Sequence, residues 1–157
     1  MPVAAVASPL GLGRAAPAEI GLLPGWRTAD GTHMAALHVA LSPGWKTYWR
    51  APGETGFAPH FDWSGSSNIS GVAAHWPRPH RLDAAGVETI GYADSLVLPL
   101  EVTLTDAGGP AFLAGSVSIG VCREVCIPME LPIALALPSL SAAPDPRIET
   151  ALADQPL

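Results

Sequence analysis

Between Leu96 and Leu104 every second residue is apolar: Leu96, Leu98, Leu100, Val102 and Leu104. Successive side chains of a strand point to opposite faces, so a period of two marks a strand with one buried face. The same period recurs at Leu37, Val39 and Leu41, and at Val117, Ile119 and Val121. It returns at Ile127, Met129, Leu131, Ile133, Leu135 and Leu137. Between Trp45 and Arg50, Trp45, Thr47 and Trp49 share one side, while Lys46, Tyr48 and Arg50 share the other. Seventeen prolines and 16 glycines interrupt the chain at short intervals, which argues against long helices. One-sided alternation belongs to antiparallel sheets. Seven or more such strands predict an all-β, immunoglobulin-like antiparallel sandwich.

The 157 residues suffice for one domain with a real core. That domain is expected over residues 18–138. Residues 1–17 are expected to be a disordered tail or a signal remnant: "AVAS" looks like the small-residue end of a secretory signal, without a basic start or long apolar middle. Residues 139–157 are expected to form a linker and a short helix, leading on to a further domain in the native chain. Residues 51–59 predict a long ordered loop, followed by a short strand through Phe61 and Trp63. Asn68-Ile69-Ser70 matches a glycosylation sequon, a three-residue pattern of low specificity.

Several function classes are excluded early. Only 14% of residues are charged, the net charge is -6 and Lys46 is the single lysine, so no basic footprint for nucleic acid exists. Apolar runs break well short of the roughly 20 residues of a membrane helix. There is no G-x-S-x-G, no H-E-x-x-H and no Gly-rich phosphate loop. Asp62, Asp83, Glu88 and Asp94 show no pairing that would set up acid–base work.

The chemistry therefore centres on "GVCREVCIPME", which holds the two cysteines, Cys122 and Cys126. If 117–122 and 126–131 form a hairpin, Arg123, Glu124 and Val125 are the turn. Val121 then faces Ile127, Ile119 faces Met129 and Val117 faces Leu131, all on one apolar face. The register that matches the hydrophobic pattern puts Cys122 opposite Cys126. Both thiols point to the other face, with Ser118, Gly120, Pro128 and Glu130. Pro128 and Pro132 share their parity. In a non-hydrogen-bonded pair neither proline owes its neighbour a ladder bond, and the Cα atoms lie about 4.5 Å apart, close enough for a disulfide.

Three uses of this pair remain open at this level. A staple across so short a loop stabilises by on the order of 2 kcal/mol or less. A Cu(I) clip would use Cys122, Cys126 and Met129, with one of His33, His38, His60, His75 or His80. The CxxxCP spacing also occurs in copper-delivery proteins of the Sco type, but there on a thioredoxin-like fold with a helix after the cysteines. His38 and His75 fit sheet or rim positions better than ligand positions, and two cysteines alone do not complete a structural zinc site. A reactive pair is the third use: it would lie near a hairpin tip, off the core face, where partners reach it. Arg123 would favour a thiolate there and Glu124 would oppose it.

From about Trp26 to Leu137 the chain resembles the periplasmic amino-terminal domain of the DsbD/ScsB thiol:disulfide interchange proteins, most closely the ScsB-like variety linked to copper tolerance. The stretches that carry the resemblance are "PGWKTYWRAPGETG", "FDWSGSSNI", "HWPRPHR", "IGYADSLVLPLEV" and "GVCREVCIP". The resemblance implies an immunoglobulin-like domain of the periplasm, a monomer without cofactor, acting as a protein-disulfide reductase. It would take electrons from a membrane-embedded donor domain and pass them to periplasmic thioredoxin-fold proteins. Cys126 would attack the substrate disulfide and Cys122 would resolve the mixed disulfide. Two departures stand out. Three residues separate the cysteines here, against five in DsbD. DsbD also covers its pair with a loop carrying Phe-Tyr, whereas "RLDAAGVE" at 81–88 has no aromatic. Leu82, or Phe57 or Trp63, is expected to cap the pair instead, unless the site is open. Arg123, Glu124 and Pro128 are expected to surround it.

Overall fold

The run from Leu96 to Leu104 is a strand in the computed structural model, and its five alternating apolar side chains are all buried. The structure describes residues 16–50, 58–84, 87–139 and 142–154. Ten strands and one helix are present among them. The strands are β1 (Ala18–Arg27), β2 (Thr32–Leu41), β3 (Lys46–Tyr48), β4 (His60–Asp62), β5 (Ile69–Ala74), β6 (His80–Ala84), β7 (Val87–Ala93), β8 (Ser95–Leu104), β9 (Ala111–Cys122) and β10 (Cys126–Leu137). The helix, α1, spans Pro146–Ala153. One sheet has the order β1-β2-β8-β5 and the other β10-β9-β3-β7-β6, with β4 also paired to β9. Every pairing is antiparallel. The chain is thus an all-β, immunoglobulin-like sandwich, as the alternation predicts. Phe57 and most of the 51–59 loop lie outside the described residues, as does the expected tail apart from Ala16 and Pro17.

The core is where the two inner faces meet. Leu37, Val39, Leu98, Leu100 and Val102 come from one sheet, and Leu113, Val117, Val121 and Leu137 from the other. Burying each contributes about 1.5–3 kcal/mol relative to exposure. Ile127 departs from the pattern. It has core parity yet stays 37% exposed. Its strand, β10, ends the sheet, and no described strand lies beyond it. Met129, Leu131 and Leu135 are only partly buried for the same reason.

Asn68 explains its own sequon differently. Its backbone is left-handed, with φ 61°. Its side-chain amide donates to the carbonyls of Asp106 and Pro110, and its side-chain oxygen accepts from Asp106 N–H. The side chain clamps the turn between β8 and β9, and a glycan on Nδ2 would break that clamp.

Arg27 closes the same end of the sandwich. Its guanidinium donates to the carbonyls of Ala107, Gly109, Leu137 and Pro138 at 2.8–3.2 Å. His33 is buried beside it. His33 Nε2 lies 2.6 Å from the Pro24 carbonyl, so Nε2–H donates and Nδ1 faces Arg27 Nε at 3.5 Å. Burial, and to a lesser degree the Arg27 charge, hold its pKa below the ordinary 6.5, against the opposing pull of the Pro24 bond. The folded state therefore resists a proton that the unfolded chain accepts near pH 6.5. His33 contributes its full stability above that value, and the contribution is lost as pH falls toward the folded pKa. Urea unfolding from pH 7.5 to 5 should show this loss in the native protein and a smaller loss in His33→Gln. Parallel curves for the two proteins would remove His33 as the cause.

Candidate functional site

The cysteine hairpin has the register that its apolar pattern demands. Cys126 pairs with Cys122, Ile127 with Val121, Pro128 with Gly120, Met129 with Ile119, Glu130 with Ser118, Leu131 with Val117 and Pro132 with Ser116. The two cysteines are disulfide-bonded, with Cα atoms 4.0 Å apart. That short approach belongs to the non-hydrogen-bonded type of pair. Pro128 and Pro132 share its parity, so their missing N–H groups face the free edge rather than β9. Arg123 N–H donates to the Val125 carbonyl at 3.0 Å and closes the turn. The Arg123 guanidinium lies over the Trp45 ring, 5.3 Å from its centroid, and ties the hairpin tip to the turn before β3.

The two sulfurs sit in unlike surroundings. Cys122 is 1% exposed, while Cys126 is exposed. The difference comes from β3, which lies against the end of β9 with Lys46 beside Cys122 and Thr47 beside Val121. Thr47 Oγ1 donates to the Gly120 carbonyl at 2.7 Å and fixes β3 there. Tyr48 follows on the same face as Lys46 and is 6% exposed. Its hydroxyl oxygen is 2.9 Å from Cys122 Sγ and 3.4 Å from Cys126 Sγ. A disulfide sulfur carries no proton, so the phenol is the donor. Burial pushes the Tyr48 pKa above its ordinary value and keeps that proton in place. On the open side a cleft of about 210 Å³ is lined by Tyr48, Gly120, Cys126, Ile127 and Pro128. Of the two cysteines, Cys126 lines this cleft and Cys122 does not.

The expected neighbours of the pair are placed unevenly. Pro128 lines the cleft, whereas Arg123 and Glu124 are exposed at the tip. Leu82 is not a cap. It lies on β6, three strands from β9, or about 14 Å along the sheet at ordinary strand spacing. Trp63 is not a cap either. It lies beside Gly115, whose added Cβ would be 3.0 Å from Trp63 Cα, and Gly115 is about 24 Å along β9 from Cys122. Trp63 stacks instead on Phe61, at 5.5 Å between ring centroids, and packs against the core. Met129 faces the core, on the opposite side of β10 from the cysteines, so it does not join them as a third sulfur. His75 pairs with Glu101 at 2.7 Å on the other sheet, and His33 is committed to Pro24. Among the described residues no three His, Cys, Asp or Glu side chains form a cluster suited to a metal ion. Tyr48 is the site residue that sequence reasoning misses. The alternation groups it with Lys46 and Arg50 without saying what that side meets, and only the docking of β3 on β9 brings it to the sulfurs.

Known proteins supply a comparison. The family model for the N-terminal part of the thiol:disulfide interchange protein DsbD matches residues 21–138. The crystal structure of the N-terminal periplasmic domain of ScsB from Proteus mirabilis superposes with a TM-score of 0.66 at 34% identity, covering 89% of this chain and 53% of that one. This chain therefore spans about half the length of the ScsB domain that it matches. The reduced DsbD N-terminal domain of Neisseria meningitidis superposes with a TM-score of 0.46 at 13% identity, over 80% of this chain and 90% of that one. Among curated proteins none matches. No helix of the described residues is long and apolar enough to cross a membrane.

Proposed function

Since the chain belongs to the family of DsbD N-terminal domains, the thiol:disulfide interchange proteins, we propose that it relays reducing equivalents in the periplasm through Cys122 and Cys126. The donor is a membrane-embedded dithiol domain and the acceptors are periplasmic thioredoxin-fold proteins, which makes the activity that of a protein-disulfide reductase. One observation carries this reading: the disulfide joins a buried cysteine, Cys122, to an exposed one, Cys126, that lines the cleft. A short-loop bridge adds on the order of 2 kcal/mol or less by loop closure. The register of β9 and β10 continues to Leu137 without it, so opening the bond leaves the sheet intact.

The steps balance without a cofactor. A donor thiolate attacks Cys126 Sγ, the Cys122–Cys126 bond breaks, and its electron pair stays on Cys122 as thiolate. The second donor thiolate attacks the donor's own sulfur in the mixed disulfide and releases Cys126. The donor leaves as a disulfide and this domain holds two thiols, the protons coming from the donor thiols through solvent. Toward the acceptor the order is mirrored: Cys126 thiolate attacks the substrate disulfide, and Cys122 thiolate attacks Cys126 Sγ and frees the substrate dithiol.

The reduction potential of the pair tests this. Equilibration in glutathione or dithiothreitol buffers, with free thiols counted, should give roughly -180 to -270 mV, the range of exchange proteins. A value well below about -300 mV would mark a structural bond.

A further inference from the structure

We propose that Tyr48 is a catalytic hydrogen-bond donor of this exchange, its hydroxyl holding the Cys122 sulfur as thiolate each time the disulfide opens. This rests on the interchange reading and adds the group that makes its buried half workable. Cys122 is 1% exposed, so water does not solvate a charge that forms there. Burial in apolar surroundings raises a thiol pKa and makes the thiolate a poor leaving group and a scarce nucleophile. The Tyr48 hydroxyl sits 2.9 Å from that sulfur. Lys46 adds a cationic residue on the same face, directly beside Cys122 in the ladder.

The strength of the contact changes with redox state. A disulfide sulfur is a weak acceptor, so in the oxidised protein the phenol gains little from it. When the bond breaks, the same donor meets an anion, and a charge-assisted bond is roughly twice as strong as a neutral one. The interaction therefore grows as charge develops, which is the condition for accelerating a step rather than merely binding its reactant. Geometry is ready in advance, because Thr47 locks β3 to Gly120 and the Tyr48 ring is buried against Cys122. Both directions benefit. In reduction of the domain Cys122 leaves, and a lower pKa leaves faster. In resolution Cys122 attacks. Lowering a pKa that stands above ambient pH by one unit raises the thiolate fraction about tenfold, while intrinsic nucleophilicity falls only about threefold.

The test compares the native protein with Tyr48→Phe, which removes one oxygen and keeps the ring. In a Cys126→Ser background, absorbance at 240 nm, with the tyrosinate signal of the matching Cys122→Ser/Cys126→Ser protein subtracted, reports the Cys122 pKa. Tyr48→Phe should raise it by about one unit or more, the size of one hydrogen bond to a charged group. Reduction of the intact disulfide by dithiothreitol at fixed pH should slow about tenfold in Tyr48→Phe. A second variant carrying difluorotyrosine at position 48, a more acidic phenol of nearly the same shape, should move the Cys122 pKa the opposite way, and it decides the matter if the phenylalanine variant does not fold. An unchanged Cys122 pKa and an unchanged reduction rate overturn the role of Tyr48 and leave the interchange reading standing. If the native disulfide itself resists dithiothreitol and oxidised thioredoxin-fold proteins gain no thiols from the reduced domain, the interchange reading fails and the Tyr48 role falls with it.

Discussion

Cys126→Ser is expected to abolish exchange, whereas Cys122→Ser is expected to complete the first attack and stop at its product. The expectation follows from the unequal burial of the two sulfurs, since only Cys126 meets the cleft. With dithionitrobenzoate, the reduced Cys122→Ser protein should release thionitrobenzoate readily from its exposed thiol. The Cys126→Ser protein keeps only a thiol beneath Tyr48 and should react about a hundredfold more slowly, which corresponds to about 2.7 kcal/mol of local opening before contact. With a thioredoxin-fold protein whose single cysteine is held as a thionitrobenzoate mixed disulfide, the Cys122→Ser variant should accumulate a covalent complex on non-reducing gels. The Cys126→Ser variant should yield none. Equal labelling of the two variants, or a complex formed through Cys122, would reverse the assigned roles.

Gly91→Ala is expected to be among the most damaging substitutions that touch no reacting atom. Gly91 is buried in β7 directly opposite Tyr48 of β3. An added Cβ there would lie 2.0 Å from the Thr47 carbonyl oxygen and 3.0 Å from Tyr48 Cα. Both are backbone atoms, so no rotamer change relieves the contact, and β3 must move away from β7. Overpacking of this kind costs about 2–3 kcal/mol, which lowers Tm by about 4–12 °C for a chain of this size. The displaced strand also carries Tyr48, so disulfide reduction by dithiothreitol should slow even below the unfolding transition. Thermal unfolding by circular dichroism, with reduction rates measured at 25 °C, checks both halves. A native-like midpoint would mean that β3 and β7 are not packed at this distance.

The hairpin was legible in the chain because its information is local. Three residues close the turn, and the odd-numbered residues 117–121 and 127–131 share one apolar face. Only one register satisfies that pattern, and it is the one observed, down to Pro132 opposite Ser116. The runs at Leu37–Leu41 and Leu96–Leu104 were legible for the same reason. Ile127 shows the limit of parity, which names the face but not whether anything covers it. Position at the edge of a sheet decides that, and sheet order is not written in the alternation of one strand.

The surroundings of the disulfide were misjudged for a related reason. Leu82 is a candidate because 81–88 stands where DsbD carries its covering loop, and Trp63 because it is an aromatic of the 57–63 stretch. Whether either reaches the sulfurs depends on which strands stand next to β9. Those strands are β10 on one side and β3 with β4 on the other. Tyr48 reaches Cys122 across a separation of 74 residues. Nothing within "WKTYW" signals that partner.

The chain by itself thus determined an antiparallel sandwich and a cysteine pair set face to face, because the pleat of a strand and the closure of a three-residue turn act between near neighbours. Only the tertiary structure decided that one sulfur is sealed beneath a phenol and the other left open. That difference arises where β3 docks on β9, a contact held by Thr47, Gly120 and the close approach at Gly91. Such long-range pairing is chosen by the packing of the whole core, and no single segment encodes it.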